Sequence, residues 1–481
     1  MADKKHIHLI GICGTAMASL AGMLNDRGFR VTGSDAAAYP PMSDFLGSLG
    51  IPLAQPFDAA NLRARPDLVV VGNAISRGNP ELEAVLDERI PFCSLPQILH
   101  DEFLRDKEVI VVAGTHGKTT TTSMLSWIFH SAGKQPSFLI GGIAENFGSS
   151  FALGTGKHFI LEGDEYDTAF FDKGPKFLHY FPDAVVLTSV EFDHADIYKD
   201  LDAVETAFKR LVNLVPRRGQ IVAIDTGASV ERCIAKAFCP VERYGLQKGT
   251  WQITNLRFEP ARTSWTVLRD GQPWAAFDFG LAGEYNVCNA TAAAAMAAGH
   301  GIEVGEIQQA LRTFRSVKRR LEVKAQINGI TIIDDFAHHP TAIAGTLTAL
   351  RARYPGSRLW VVLEPRSNTL RRNVFQNELG NSLALADEVV VAGVFKSDAI
   401  PPAERLDLMA VGAELQRRGK RARIISGADG IVQVIAPELR SGDVVAILSN
   451  GGFEGIYEKL PARLKSGTSG SKNPLEASAK A

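Results

Sequence analysis

Short apolar, β-branched runs recur along this chain, at residues 6–12, 29–32, 67–71, 108–113, 158–161 and 184–187, and again at 330–333, 359–363, 388–392 and 444–448. Most carry no polar residue at every second place, the pattern of strands buried on both faces of a parallel sheet. Helical sequence separates them, such as the Ala/Leu/Met-rich stretch after Gly14 and the alanine-rich one after Asn289. That alternation predicts an α/β protein. The region 222–278 differs and predicts short strands and turns, with Trp251, Trp265 and Trp274 in a core and no chemistry attached to it. Three domains are expected: residues 1–106 Rossmann-like, 107–321 a central P-loop ATPase-like domain, and 322–465 again Rossmann-like. Residues 466–481, rich in Ser, Gly, Lys and Ala, predict a disordered tail.

Composition narrows the function classes. At 481 residues with 45% apolar and 22% charged content, the chain buries ordinary cores without staples. A net charge of −1 offers no footprint for nucleic acid or a membrane surface. Five scattered cysteines with no C-x-x-C pair argue for a reducing compartment. The apolar N-terminus is broken by Gly11, Gly14 and Gly22, which fits a nucleotide-binding turn better than a signal peptide, and no run approaches a membrane span. A cytoplasmic protein is expected.

The densest chemistry lies at residues 108–122, EVIVVAGTHGKTTTT. A strand ending in Gly114-Thr115-His116-Gly117-Lys118-Thr119-Thr120 and passing into a helix presents backbone N–H groups to phosphate. Lys118 would reach the β/γ-phosphates and the Thr119 hydroxyl would ligate Mg²⁺. The longer phosphate loop needs glycine where Val112 stands, so the match is to a shorter loop. Two later strands end in acids: Glu162-Gly-Asp-Glu-Tyr-Asp167, and Glu191-Phe-Asp-His194-Ala-Asp196. Carboxylates at a strand end beside a phosphate loop are where Mg²⁺ is held, with His194 among candidates for a second metal. At the N-terminus, the Gly11 and Gly14 turn followed by Asp35 at the next strand's end makes a dinucleotide-type unit, and Asn73 ends a third strand facing the same crevice. Asn286 and Asn289 share a helix face, suited to an adenine edge or equally to N-capping. In the basic trio Lys318-Arg319-Arg320, usually solvated surface, an arginine would be within reach of a γ-phosphate, and Arg366 in a polar turn suits a substrate carboxylate.

In register along the chain, Gly114–Thr120, Gly283-x-x-Asn286-x-x-Asn289-Ala290 and Asp335-Phe-Ala-His338-His-Pro340 resemble the Mur ligases, ATP-dependent amide-forming enzymes of peptidoglycan assembly. The resemblance runs from about His6 to Leu460. It is strongest to the branch that uses UDP-N-acetylmuramate. Within it, residues 11–15, 162–173, 363–369 and 449–453 are similar to the members that recycle murein tripeptide.

This resemblance implies a UDP-sugar site at Gly11, Gly14, Thr15, Asp35 and Asn73. It implies ATP on Gly114, Thr115, His116, Gly117, Lys118, Thr119, Thr120, Asn289, Arg320 and Asp335, with Mg²⁺ on Thr119 and Glu162 and a second ion near His194. His338, Arg366 and Asn368 would face the peptide, and Lys118, His194 and Arg320 would be catalytic. Several members carry a carbamylated lysine about fifteen residues past the metal histidine; Lys209 sits at that distance and is left unassigned. The substrates implied are small molecules, UDP-N-acetylmuramate and L-Ala-γ-D-Glu-meso-diaminopimelate, with oligomeric state open. Alternatives are the L-alanine-adding ligase, a nicotinamide-dependent dehydrogenase, which leaves the phosphate loop unexplained, and an ATP-gated sensor of UDP-sugars.

Overall fold

The structure, a computed structural model, describes residues 4–38 and 42–466; all but the first residue of the expected tail, 466–481, lies outside them. Three α/β domains follow one another, each built round its own sheet. The first sheet is wholly parallel, in the order Leu53–Ala54, Arg30–Ser34, His6–Ile10, Leu68–Val71, Phe92–Ser94. This doubly wound order opens a crevice at the carboxyl ends of the strands, beside Gly11, Asp35 and Gly72.

The central sheet has ten strands. Its middle places Glu108–Ala113 between His158–Gly163 and Ala184–Leu187, all parallel. Residues 109–113 are buried because helices cover both faces, which is why the strand reads as unbroken apolar sequence. One covering helix, Glu284–Gly299, is alanine-rich and buried nearly all round, allowing close approach to the helix Lys118–Ser131. The latter opens with four threonines, modest helix formers, so packing and the phosphate loop hold it helical rather than propensity. The region predicted as short strands and turns includes three long antiparallel strands, Trp251–Glu259, Arg262–Arg269 and Gln272–Phe279, that extend the same sheet. Trp251 and Trp265 are buried there, and Trp274 packs on Trp251.

The third sheet is parallel except for its first strand, Glu322–Ile327, which pairs antiparallel with Ile330–Asp335. The connection into it is strained: Ser316, Arg319 and Leu321 have φ of 96°, 64° and 49°, a region that costs residues with a Cβ. Arg319 holds this turn down, donating to Asp334, to the carbonyls of Ser449 (2.7 Å) and Gly451 (2.9 Å) and to the Tyr457 hydroxyl.

Between the first two domains, Phe151 packs into the notch that Gly22 leaves in the helix Thr15–Asp26; a Cβ there would stand 2.7 Å from the ring. Gly22 therefore serves domain packing and not a nucleotide turn.

Candidate active site

Gly114 and Gly117 hold the phosphate loop with φ of 138° and 82°, conformations that favour glycine, and a Cβ at either would run into Thr188 or Asn289. Val112, where the longer loop has glycine, lies inside the strand, so the turn begins two residues later. Lys118 is folded back over the loop: its Nζ donates to the carbonyl of Gly114 (2.7 Å) and to Glu165 Oε1 (2.9 Å). Burial alone would push Lys118 down and Glu165 up, but their mutual attraction outweighs it, holding the amine above and the carboxyl below their ordinary values. Glu165 also takes a hydrogen bond from His194 Nε2 at 3.2 Å. The loop lysine and the histidine of a later strand end thus meet on one buried carboxylate.

Beside them, the Thr119 hydroxyl donates to Glu162 Oε1 (3.0 Å), Gly141 N–H donates to Glu162 Oε2 (2.9 Å), and Arg320 Nη2 lies 3.4 Å from Thr119 Oγ1. Burial pushes the Glu162 carboxyl up despite the pull of Lys118 and Arg320. A half-buried carboxylate in want of positive charge, next to a hydroxyl, is an oxygen donor set that fits Mg²⁺. Thr119 and Glu162 would hold one such ion, and the His194–Glu165 pair offers ligands for a second.

The other ATP-directed residues divide. Asn289 is buried against the phosphate loop, its Oδ1 2.5 Å from where a Gly117 Cβ would stand and its Nδ2 without a partner among the described residues, while Asn286 donates to the Ala282 carbonyl. Asp335 is 3% exposed, and its oxygens accept from Leu321 N–H (2.7 Å), Ala337 N–H (2.9 Å) and the Thr346 hydroxyl. It pins the interdomain turn from below. Thr115 and His116 bond across to the next acidic strand end, through the Glu191 carbonyl and the Glu191 carboxylate.

That acidic turn, Glu191 to Asp196, is where the third domain docks. Thr369 donates to Asp193 Oδ1 at 2.7 Å and accepts from Ala195 N–H, Asn368 donates to Asp196 (2.8 Å), and Thr341 donates to Glu191 (2.7 Å). Tyr166 also bonds Asp196, and the His339 ring lies 4.6 Å from that of His116. His338 is held by its Nδ1 on the Phe336 carbonyl. Arg366 lies over the Phe395 ring at 3.8 Å and against Gly451. In the first domain, Asp35 accepts from Cys13 N–H at 2.9 Å, closing the Gly11–Thr15 turn, while Thr15 and Gly14 stay exposed. Asn73 donates to the carbonyl and carboxylate of Asp167, bridging the first and second domains.

Sequence reasoning passed over Thr341 and Thr369 as functional residues, and read Glu165 and Asp193 only as members of acidic strand ends that could hold metal. All lie within or next to quoted motifs; what marks them is a partner up to 176 residues away, which spacing along one motif cannot reveal. Lys209 pairs with Glu205 at 3.1 Å on the helix Leu201–Leu214.

Family models match the chain in three consecutive blocks: the Mur ligase family catalytic domain over residues 6–106, the Mur ligase middle domain over 112–297, and the Mur ligase glutamate ligase domain over 319–451. The Escherichia coli K12 UDP-N-acetylmuramate–L-alanyl-γ-D-glutamyl-meso-2,6-diaminoheptandioate ligase is 43% identical, over 94% of this chain and 97% of that one. The chain belongs to the Mur ligase family. Among solved structures, a murein peptide ligase from Psychrobacter arcticus is 38% identical with a TM-score of 0.73, covering 96% of this chain and 98% of that one. A UDP-N-acetylmuramate–alanine ligase from Thermotoga maritima is 25% identical with a TM-score of 0.80, covering 96% and 99%. Among the described residues no helix is long and apolar enough to cross a membrane.

Proposed function

We propose that this Mur ligase joins UDP-N-acetylmuramate to the tripeptide L-alanyl-γ-D-glutamyl-meso-diaminopimelate with conversion of ATP to ADP and phosphate, in the reuse of peptidoglycan peptide. The observation that carries the substrate choice is the fall in identity, along nearly whole chains, from relatives named for the tripeptide or murein peptide, at 43% and 38%, to relatives named for alanine, at 33% and 25%. A second reading, L-alanine addition, has the closer backbone superposition in its favour.

In this reading the three domains deliver three reactants. The turn closed by Asp35 on Cys13 receives the UDP moiety at the strand ends of the first domain. ATP lies over the phosphate loop. A muramate carboxylate oxygen attacks the γ-phosphorus and the bond to ADP breaks; the peptide amine then attacks the acyl carbon, the bond to phosphate breaks, and the nitrogen sheds its proton. A carboxylate has no leaving group of its own, so phosphorylation provides one. Lys118, held by the Gly114 carbonyl and Glu165, would meet the charge that builds on the transferring group, with Arg320 nearby at Thr119. Bound Mg²⁺ would add neutralising charge at Thr119 and Glu162. The docking of Thr369, Asn368 and Thr341 on the acidic turn closes the site against water, which would otherwise hydrolyse the activated acyl group. His338 and Arg366, on the third domain, would face the incoming peptide.

Mass spectrometry of products from ATP, UDP-N-acetylmuramate and an equimolar mixture of L-alanine and tripeptide tests this. The tripeptide adduct is expected to dominate; a dominant L-alanine adduct would overturn the substrate assignment.

A further inference from the structure

A second cluster of ligand-type side chains lies at the far end of the central sheet. Glu108 and His158 begin adjacent parallel strands in register, and His300 caps the end of the helix Glu284–Gly299. One ligand atom from each lies within 4.8 Å of the others. The strand from Glu108 to the phosphate loop spans six residues, about 17–20 Å at the usual rise, so this cluster is separate from the ATP site.

His158 is the unusual member. It is 3% exposed, yet neither of its ring nitrogens makes a hydrogen bond among the described residues. An imidazole buried without partners is costly and calls for one. Its Nε2 stands 3.3 Å from Glu108 Oε2 without hydrogen-bond geometry. That spacing equals the ligand–ligand edge of a tetrahedral site with bonds of about 2.0–2.1 Å. The flanking groups are oriented to match. His300 Nδ1 lies 2.9 Å from the Met296 carbonyl, which fixes the proton on Nδ1 and leaves the Nε2 lone pair free, the usual outer bond of a metal-bound histidine. Lys157 holds Glu108 Oε1 at 2.7 Å, leaving Oε2 to face His158. Burial, reinforced by His300, pushes His158 down to about 4, so its ring is neutral at physiological pH.

We propose that Glu108, His158 and His300 bind a zinc-type transition-metal dication, with water as fourth ligand. A two-histidine, one-carboxylate set suits Zn²⁺ or Co²⁺ and not Mg²⁺, which requires oxygen ligands, so the ion would not compete with magnesium at the phosphate loop. Lys157 and Lys134 are the nearby cations it binds against. Each ligand sits at the opposite end of an element from an active-site residue: Glu108 from the Lys118 loop, His158 from Glu162, and His300 from Asn289. The ion would staple the bases of the three elements that carry the nucleotide site. The other cluster of this kind among the described residues, His116–Glu191–His339, has its groups already engaged, since His339 Nδ1 accepts from Thr341 N–H and Glu191 from the Thr341 hydroxyl.

The full-length protein, stripped with chelator, is titrated with CoCl₂ while visible absorption is followed, and then with ZnCl₂. One equivalent of Co²⁺ is expected to give the intense absorption of a four-coordinate ion, displaced by Zn²⁺, and Zn²⁺ is expected to raise Tm. His300→Ala and Glu108→Gln, at part-exposed positions, should lose that signal, weaken the site by about tenfold or more and abolish the Zn²⁺ shift in Tm, with unchanged circular dichroism. His116→Ala should keep all three. The proposal is overturned if the wild type gives only weak octahedral absorption, or if both variants bind Co²⁺ as the wild type does.

Discussion

Replacing Thr369 with Val tests whether the third domain closes the site through its grip on Asp193. The side chains are nearly the same shape, so the change removes one hydroxyl from a contact that is 2% exposed on the threonine side and 6% on the aspartate side. The hydroxyl donates to a carboxylate at 2.7 Å and accepts from Ala195 N–H at 3.2 Å. A hydrogen bond to a charged acceptor contributes about 1.5–3 kcal/mol, and leaving the N–H unpaired adds about 1 kcal/mol. In an open enzyme Asp193 and Ala195 meet water, so the whole loss, about 2–4 kcal/mol, falls on closure and weakens it by roughly 30- to 1000-fold. Coupled ADP release should show kcat lowered by about tenfold or more, part of the loss being absorbed if the wild type is strongly closed. ATP binding to the open form, measured by calorimetry, should stay within about twofold, and Thr369→Ser should recover most of the rate. X-ray scattering of the Val variant with nucleotide should report a larger radius than the wild type. A kcat within about twofold of wild type, with an unchanged scattering curve, would refute the reasoning.

Lys118→Ala should abolish ATP-dependent product, a loss of about a thousandfold or more in ADP release, and should also lower Tm because Glu165 keeps a buried charge with only His194 to meet it; turnover near the wild-type rate would remove Lys118 from the mechanism. Glu205 is 1% exposed and held down to about 2, chiefly by hydrogen bonds from Arg232. A depressed carboxyl contributes stability above its unfolded value and loses it as pH falls through the folded one. Glu205→Gln should therefore cost about 1–2 kcal/mol at neutral pH, after allowance for the half-exposed arginine, and thermal melts should show the gap to wild type closing as pH falls from about 4.5 to about 2. A gap that stays constant through that window would contradict the pairing.

Much of the fold is local and was therefore legible. A strand covered on both faces must be apolar at nearly every position, and Leu359–Leu363, Glu388–Ala392 and Val444–Leu448 coincide with the runs read from sequence. The phosphate loop was legible because the φ of Gly114 and Gly117 strongly favours glycine. The three long antiparallel strands after Thr250 were under-read, since their period-two pattern carries polar residues on the open face and resembles turn-rich sequence.

Other residues take their meaning from contacts that no local pattern encodes. Gly22 looked like part of a nucleotide turn and is a seat for Phe151. Asn73, read as a crevice residue, reaches Asp167.

By itself, then, the sequence determined the order of strand, turn and helix, the family, and the motif that meets phosphate, because backbone conformation and burial leave their mark within a few neighbouring residues. Only the tertiary structure decided that Glu165 is the acid holding Lys118, that Thr369 closes on Asp193, and that His158 lies unpartnered between Glu108 and His300. Hydrogen bonds and ion pairs act over about 3 Å, and which groups come that close depends on how separate elements pack.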